Sequence, residues 1–595
     1  MKCKKTWFYY FCISFSIIGF LYILVSIISS LGTAQEYPYL PKGLLIVGIF
    51  VGWILIQFLA KLAARLHIAE KFPRGKTISM LLEGVVVVLI LTAAVAVRLW
   101  VIHNFPITPT SDYKTYYEIA DLLNRGTIQK EGKGYCDYIA MFPHVYGYCT
   151  ILRIAFSIWG TKTSVGLMMN LVFSIATVFI IYRIGRKCGG RIAGLVSIFL
   201  CAFWPSQVLY DSILSAEPTF TFLVFFCAYL FLCITMSDNE KQGNTGLCIA
   251  GYLFLGIMIA LAAAVRPMAM ILLIAIALCI IPQRNELPAK PINDIPLLQR
   301  FLRFGWIRFV LILIPYMIVS NVISTSIELS IDRDLASGST SFGYNMLVGL
   351  NTESDGGWNE EDKDLLYNTM EETGSASQAH KACRDLAIKR LTGNPVGIFN
   401  LFIHKYELLW GNDDYGSTWN IAFSDEQGNL TQWRSDFLYS MRDYNNIVYA
   451  VTVFFAIMGL IFMYKGKGNY NYIFVLLYLG TVAMHLMVES QNRYHYYVLQ
   501  VFMLIAGYGI QSLFNDAQKG NIEKKEESEN QQQREKEKEL QIQTYQKAEE
   551  EMVKIREEAL ANVFDMKNAL ENGNVVMTVS AAYKQEKTEE NMDGK

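Results

Sequence analysis

The chain reads as an α-helical polytopic membrane protein of about twelve transmembrane helices, with an extracytoplasmic loop domain and a helical or disordered cytoplasmic tail. Three observations predict this. Apolar runs of roughly 20 residues, long enough to cross the hydrocarbon core, recur through most of the sequence. Hydrophobic residues make up 53% of the 595, where a soluble chain of that length would divide into several domains without such runs. Counted from an inside N-terminus, every strongly basic loop falls inside, as the positive-inside rule requires.

In chain order, residues 7–31 are apolar behind Lys2, Lys4 and Lys5. The run is too long for a signal peptide and lacks a persuasive cleavage site, so an uncleaved anchor is expected. A span at about 43–60 and a basic loop (Lys61, Arg65, Lys71, Arg74, Lys76) complete an N-terminal part, 1–77. The membrane core, 78–325, opens with a span at 78–101. The stretch 141–159, with Pro143, His144, Tyr146 and Arg153, reads as an interfacial or re-entrant helix. Spans follow at 163–182, 192–209, 218–236, 247–264, 268–281 and 309–325, with Arg183, Arg186, Lys187 and Arg191 inside. The polar segment 326–445, with Gly356-Gly357-Trp358-Asn359, predicts an extracytoplasmic domain of loops and short helices, 376–393 the clearest. Spans at 446–464, 471–488 and 496–514 end the membrane part, 446–514.

The tail, 515–595, holds 13 Lys/Arg against 19 Asp/Glu, so the rest of the chain is net basic behind an overall charge of −1. Tyr545, Ala548, Met552, Ile555, Ala559, Met566 and Ala569 form a weak coiled-coil seam broken at Asn562, offering self-association. A solvated single helix or disorder fits equally. No basic footprint points to nucleic acid. Six of the eleven Cys lie in apolar segments, and no CxxC pair has zinc spacing. Cys136 and Cys149 share a loop and either form a disulfide or stay free thiols.

The chemistry gathers where spans meet the outer surface. Asp112, in Thr110-Ser111-Asp112-Tyr113, follows the third span at the lip of the bilayer. Burial there would raise its pKa and make it a usable base, while Ser111 or Asp112 could equally cap an amphipathic helix. The same face collects Glu118, His144, Tyr146, Glu217, Arg266, Glu489, Arg493, Tyr494 and His495. Ionisable groups at membrane depth are paired, lie in a cavity, or are functional. Arg266 could instead snorkel to headgroups, Glu217 complement a helix dipole, and Glu489 and Arg493 pair structurally. A carboxylate beside arginines at a membrane surface suits one reaction well. The acceptor hydroxyl loses its proton to the carboxylate and attacks a sugar carbon, and arginine holds the departing lipid phosphate. Direct displacement inverts the anomeric configuration.

On these residues the chain resembles the membrane glycosyltransferases of the GT-C fold, which include protein O-mannosyltransferases and lipid A aminoarabinose transferases. The resemblance rests on Ser111-Asp112 with Tyr116, Ala120 and Gly126; Phe142-Pro143; Ser215-Ala216-Glu217-Pro218; Val265-Arg266-Pro267; and Glu489 through His495. It covers roughly 80–512. It implies a polyprenyl-phosphate-linked sugar donor and an extracytoplasmic glycan, lipid or protein acceptor. Asp112 then matches the acid-base residue, and Arg266 and Arg493 positions near the donor phosphate, with Tyr494 and His495 beside them. Glu118, His144, Tyr146, Glu217 and Glu489 stand as supporting residues. Two extra N-terminal spans and a single carboxylate at the Asp112 site depart from the pattern. The missing second acid and the lack of His/carboxylate spacing argue against a metal site. No cofactor is expected, a divalent metal being left open. A transporter or flippase of lipid-linked sugars, or a glycan polymerase or ligase, are the competing functions; no internal repeat supports the transporter.

Overall fold

The computed structural model describes residues 6–31, 39–65, 75–240, 245–283, 297–336, 341–466 and 471–571. Among them the regular elements are all helices. Nine are long and apolar enough to cross a membrane: Trp7–Ser30, Lys42–Leu62, Met80–Asn104, Thr163–Gly189, Glu217–Met236, Thr245–Val265, Gly305–Ile331, Gln432–Lys465 and Asn492–Gly520. Three shorter apolar helices, Arg191–Ala202, Ala269–Ile280 and Tyr472–Met487, occupy the other regions read as spans.

Two of these three differ from the expectation for a physical reason. Each is a helix of 12 residues, about 18 Å long against a hydrocarbon core of about 30 Å. Pro205 has no N–H to continue a helix and forces Trp204 into extended backbone, so the 192–209 run breaks and restarts as Pro205–Tyr210. Pro267 likewise separates Thr245–Val265 from Ala269–Ile280.

The stretch 141–159 also breaks at a proline. Lys133–Met141 ends before Pro143, and His144–Trp159 follows. This second helix is amphipathic, burying Val145, Tyr148, Cys149, Leu152 and Phe156 while Ile154, Ile158 and Trp159 stay exposed. It crosses Thr245–Val265 at Gly147, where a Cβ would come 2.0 Å from the Ala264 carbonyl oxygen. Only glycine permits that approach, and it brings His144 and Arg266 to one wall.

The polar segment folds into five helices: Gly343–Gly349, Glu360–Thr373, Ala376–Gly393, Pro395–Trp410 and Tyr415–Glu426. Buried Asp362 organises it. Arg390 donates to both carboxylate oxygens at 2.9 and 2.8 Å, and Asn359 caps the helix from Glu360 through Asp362 N at 2.9 Å. Lys405 joins it to the membrane helices, donating to the carbonyls of Gly349 (2.7 Å), Leu486 (3.0 Å) and Val488 (2.7 Å).

Ion pairs tie the spans together. Glu83 accepts from Tyr182, Arg186 and Arg191. Arg98 meets Asp211 at 2.7 Å with both side chains almost fully buried. Cys136 and Cys149 are free and buried, each thiol donating to a carbonyl, of Ile128 and Tyr116.

The chain forms two compact units, 1–517 and 518–595. The second continues the helix Leu499–Glu571, on which Tyr545, Met552, Ile555 and Met566 are all exposed. The seam expected there therefore faces solvent in the single chain.

Candidate active site

Where the third span ends, the chain turns through Thr110 into the helix Ser111–Arg125. Thr110 is the N-cap and makes no side-chain capping bond, so neither Ser111 nor Asp112 is the cap considered from the sequence. Ser111 instead takes a left-handed φ of 48°. A non-glycine residue there costs of order 1 kcal/mol or more, and such strain is found at sites the surrounding structure over-determines.

The next residue, Asp112, lines a cavity of about 530 Å³ together with His144, Glu217, Arg266, Glu489, Arg493 and Tyr494. Seven of the ten residues singled out in the sequence thus converge, from five separate stretches of chain. Asp112 was expected to be desolvated. Its side chain is instead 47% exposed at the cavity, with Oδ2 3.1 Å from Arg493 Nη2.

Arg493 lies in the short helix Asn492–Val498 and is buried. Its Nη1 donates to the Tyr113 hydroxyl at 2.6 Å, which shares a further hydrogen bond with Tyr210. The guanidinium also packs on the rings of Trp419 (5.1 Å), Tyr494 (5.4 Å) and Tyr113 (5.7 Å). Its bonds go to Asp112 and Tyr113, not to Glu489, so the Glu489–Arg493 pair considered from the sequence is not formed.

Glu217 starts its helix and meets Arg266 Nη2 at 2.7 Å, so Arg266 is ion-paired here. Glu217 Oε2, Arg266 Nε and Arg493 Nε have no hydrogen-bond partner among the described residues. His144 completes this wall. Burial, with Arg266 adding to it, pushes its imidazole down to about 4, so it is neutral near pH 7. Glu489 sits in the turn before Asn492–Val498 and accepts from Gln491 Nε2 at 2.8 Å. Burial raises its pKa above the usual glutamate value.

Three expected residues lie outside the cavity. Glu118 accepts from the Tyr135 hydroxyl and faces Lys114. Tyr146 donates to Ser330 Oγ at 2.8 Å. His495, expected beside the donor phosphate, is fully buried between Asp413 Oδ1 (2.9 Å) and the Leu409 carbonyl, stacked on Trp410. Both ring nitrogens are used, which leaves none for a phosphate.

Other residues escaped the sequence reading as site residues: Trp419, His485 and Gln491, which line the cavity, and Tyr113, the partner of Arg493. Tyr113 immediately follows Asp112, which was a signal; His485 sat inside an apolar run and carried none. Among the described residues no group of three His, Cys, Asp or Glu is placed to hold a metal ion.

One stretch of the chain carries a recognisable pattern. Residues 144–297 match the family model described as dolichyl-phosphate-mannose-protein mannosyltransferase. The matched stretch includes His144, Glu217 and Arg266 and leaves Asp112, Glu489 and Arg493 outside it. It agrees with the GT-C resemblance drawn from the residues. No curated protein matches the chain. Among solved structures, the oligosaccharyltransferase of Archaeoglobus fulgidus, tethered with an acceptor peptide, aligns at 13% identity and a TM-score of 0.36. That alignment covers 71% of this chain and 49% of the other, so the chain spans about half the length of that protein. ArnT from Cupriavidus metallidurans, bound to undecaprenyl phosphate, aligns at 12% identity, TM-score 0.26, covering 71% and 77%.

Proposed function

We propose that the protein is an inverting glycosyltransferase of GT-C type that moves a sugar from a polyprenyl-phosphate donor to an acceptor outside the cytoplasmic membrane. The product would be a cell-envelope glycan or a glycosylated protein. The sugar is a hexose or pentose, mannose being the one in the matched family's description. Both termini lie in the cytoplasm and the cavity opens outward, as the positive-inside count requires.

One observation carries the reading: a carboxylate that can take a proton and a buried guanidinium that can take a phosphate stand 3.1 Å apart in one cavity. In the step, the acceptor O–H gives its proton to Asp112, and the oxygen bonds to the anomeric carbon from the face opposite the phosphate. The C–O bond to phosphate breaks, its electron pair leaving with the polyprenyl phosphate. Arg493 and Arg266 face the growing negative charge. Glu217 offsets part of the Arg266 charge, so the resting cavity does not hold two unpaired cations. Neutral His144 offers a hydrogen bond without adding charge.

The reaction is read by release of polyprenyl phosphate. Protein purified into lipid nanodiscs is mixed with the total lipid extract of cells lacking it, plus envelope from those cells. Consumption of a polyprenyl-phosphate sugar with retention of the sugar on envelope material is expected. Sugar counterflow into vesicles without donor cleavage would establish the transporter instead.

A further inference from the structure

The cavity has two chemically different walls. One carries the charges already described. The other, built by Lys133–Met141 and the polar segment, is aromatic: Tyr138, Tyr344, Trp358 and Tyr367. Trp358 is 58% exposed and Tyr367 41% exposed, with the Lys363 ammonium 5.9 Å from the Trp358 ring centroid. Trp358 follows the tight turn at Gly356, whose φ of +72° and contact with Lys405 leave no room for a Cβ, so its loop is held in place.

Gln491, which also lines the cavity, spends its Nε2 on Glu489 and leaves Oε1 buried, without a hydrogen-bond partner among the described residues. Glu217 Oε2 is in the same state. A buried acceptor without a donor costs about 1–3 kcal/mol, which a ligand O–H would recover. Exposed aromatic rings and orphaned acceptors lining one cavity match a ring with two kinds of surface. A pyranose has hydroxyls at its edge and, on its face, C–H bonds polarised by ring oxygens that rest on the negative face of an aromatic ring.

We propose that this aromatic wall and Gln491 form the acceptor subsite, and that the acceptor is a saccharide with a sugar ring stacked on Trp358 and Tyr367. The proposal rests on the glycosyltransferase reading and narrows it from any extracytoplasmic acceptor to a carbohydrate one.

Heat-treated envelopes from cells lacking the protein serve as acceptor, after periodate oxidation, after proteinase digestion, or untreated. Purified protein and the lipid extract are then added, and both donor consumption and sugar on the envelope are measured. Periodate is expected to abolish acceptor capacity. Trp358→Ala is expected to raise the acceptor KM about tenfold, the worth of one stacked ring, and Trp358→Tyr to restore most of it. Trp358 is exposed, so its loss does not threaten folding. Acceptor capacity that survives periodate and falls to proteinase marks a peptide acceptor and overturns the proposal, as does capacity surviving both treatments or an unchanged acceptor KM in Trp358→Ala. Absence of any donor consumption contradicts the glycosyltransferase reading itself, and this proposal with it.

Discussion

Arg493 holds two partners at once, the Tyr113 hydroxyl and the Asp112 carboxylate, while three aromatic rings pack on its guanidinium. A guanidinium can do so because its donors diverge in one rigid plane; an ammonium is a point charge. Arg493→Lys keeps the charge and loses the fork, so kcat for sugar transfer should fall roughly 100-fold in a protein that still purifies folded. A rate within a few fold of wild type would remove Arg493 from the mechanism. His144 gives a prediction of a different kind. Burial holds its folded pKa near 4, below the ordinary 6.5. As pH falls through about 6.5 the unfolded chain takes up a proton that the folded chain refuses until about 4, so stability present above that window is lost across it. Thermal unfolding between about pH 7 and about pH 4.5 should therefore show a steeper loss in wild type than in His144→Gln. Equal slopes would mean that this imidazole is not desolvated.

Helices and turns set where those groups stand. The turn carrying Glu489 is fixed by Lys405, whose Nζ serves the carbonyls of Gly349 in the polar segment and of Leu486 and Val488 at the end of the helix Tyr472–Met487. Burial drives this ammonium down to about 7. Lys405→Met would leave three buried carbonyls without a donor and is expected to destabilise the fold on the order of 3 kcal/mol. A matching drop in the thermal midpoint of the detergent-purified protein checks it, and no drop would show the carbonyls to be solvated. The same turn is crowded by Gly349, where a Cβ would lie 2.3 Å from the Val488 carbonyl carbon. Long apolar helices were legible in the sequence because their signal is local and period-independent. The break at Pro267 was read there, between the spans 247–264 and 268–281; the one at Pro205 was also written there, but hydropathy alone ran through it. Asp362 with Arg390, and Lys405 with its carbonyls, were not legible: each bond joins distant positions, and nothing near either residue names the other.

The molecule as a whole gathers onto one cavity residues that only topology could have brought together. Asp112 and Arg493 are 381 positions apart. Counting basic loops put both at one end of their spans, which is why seven of the ten candidates fall on the cavity while their pairings were not legible. His495 shows the limit: its position in the chain matched, yet its ring is turned to Asp413 and away from the cavity. Sidedness has its own test. An impermeant thiol reagent added to intact cells should label Glu372→Cys, exposed in the polar segment, and miss Phe301→Cys, exposed before Gly305–Ile331. The reverse pattern would place the cavity in the cytoplasm. The cavity residues all belong to the unit 1–517, so a chain ending at Ala517 should transfer sugar as the full chain does. The central claim is that Asp112 is the base. Asp112→Asn keeps the shape and removes the proton acceptor, so in nanodiscs it should retain donor binding while sugar transfer falls by a factor of about 100 to 10,000. Transfer at the wild-type rate in that variant would contradict the account.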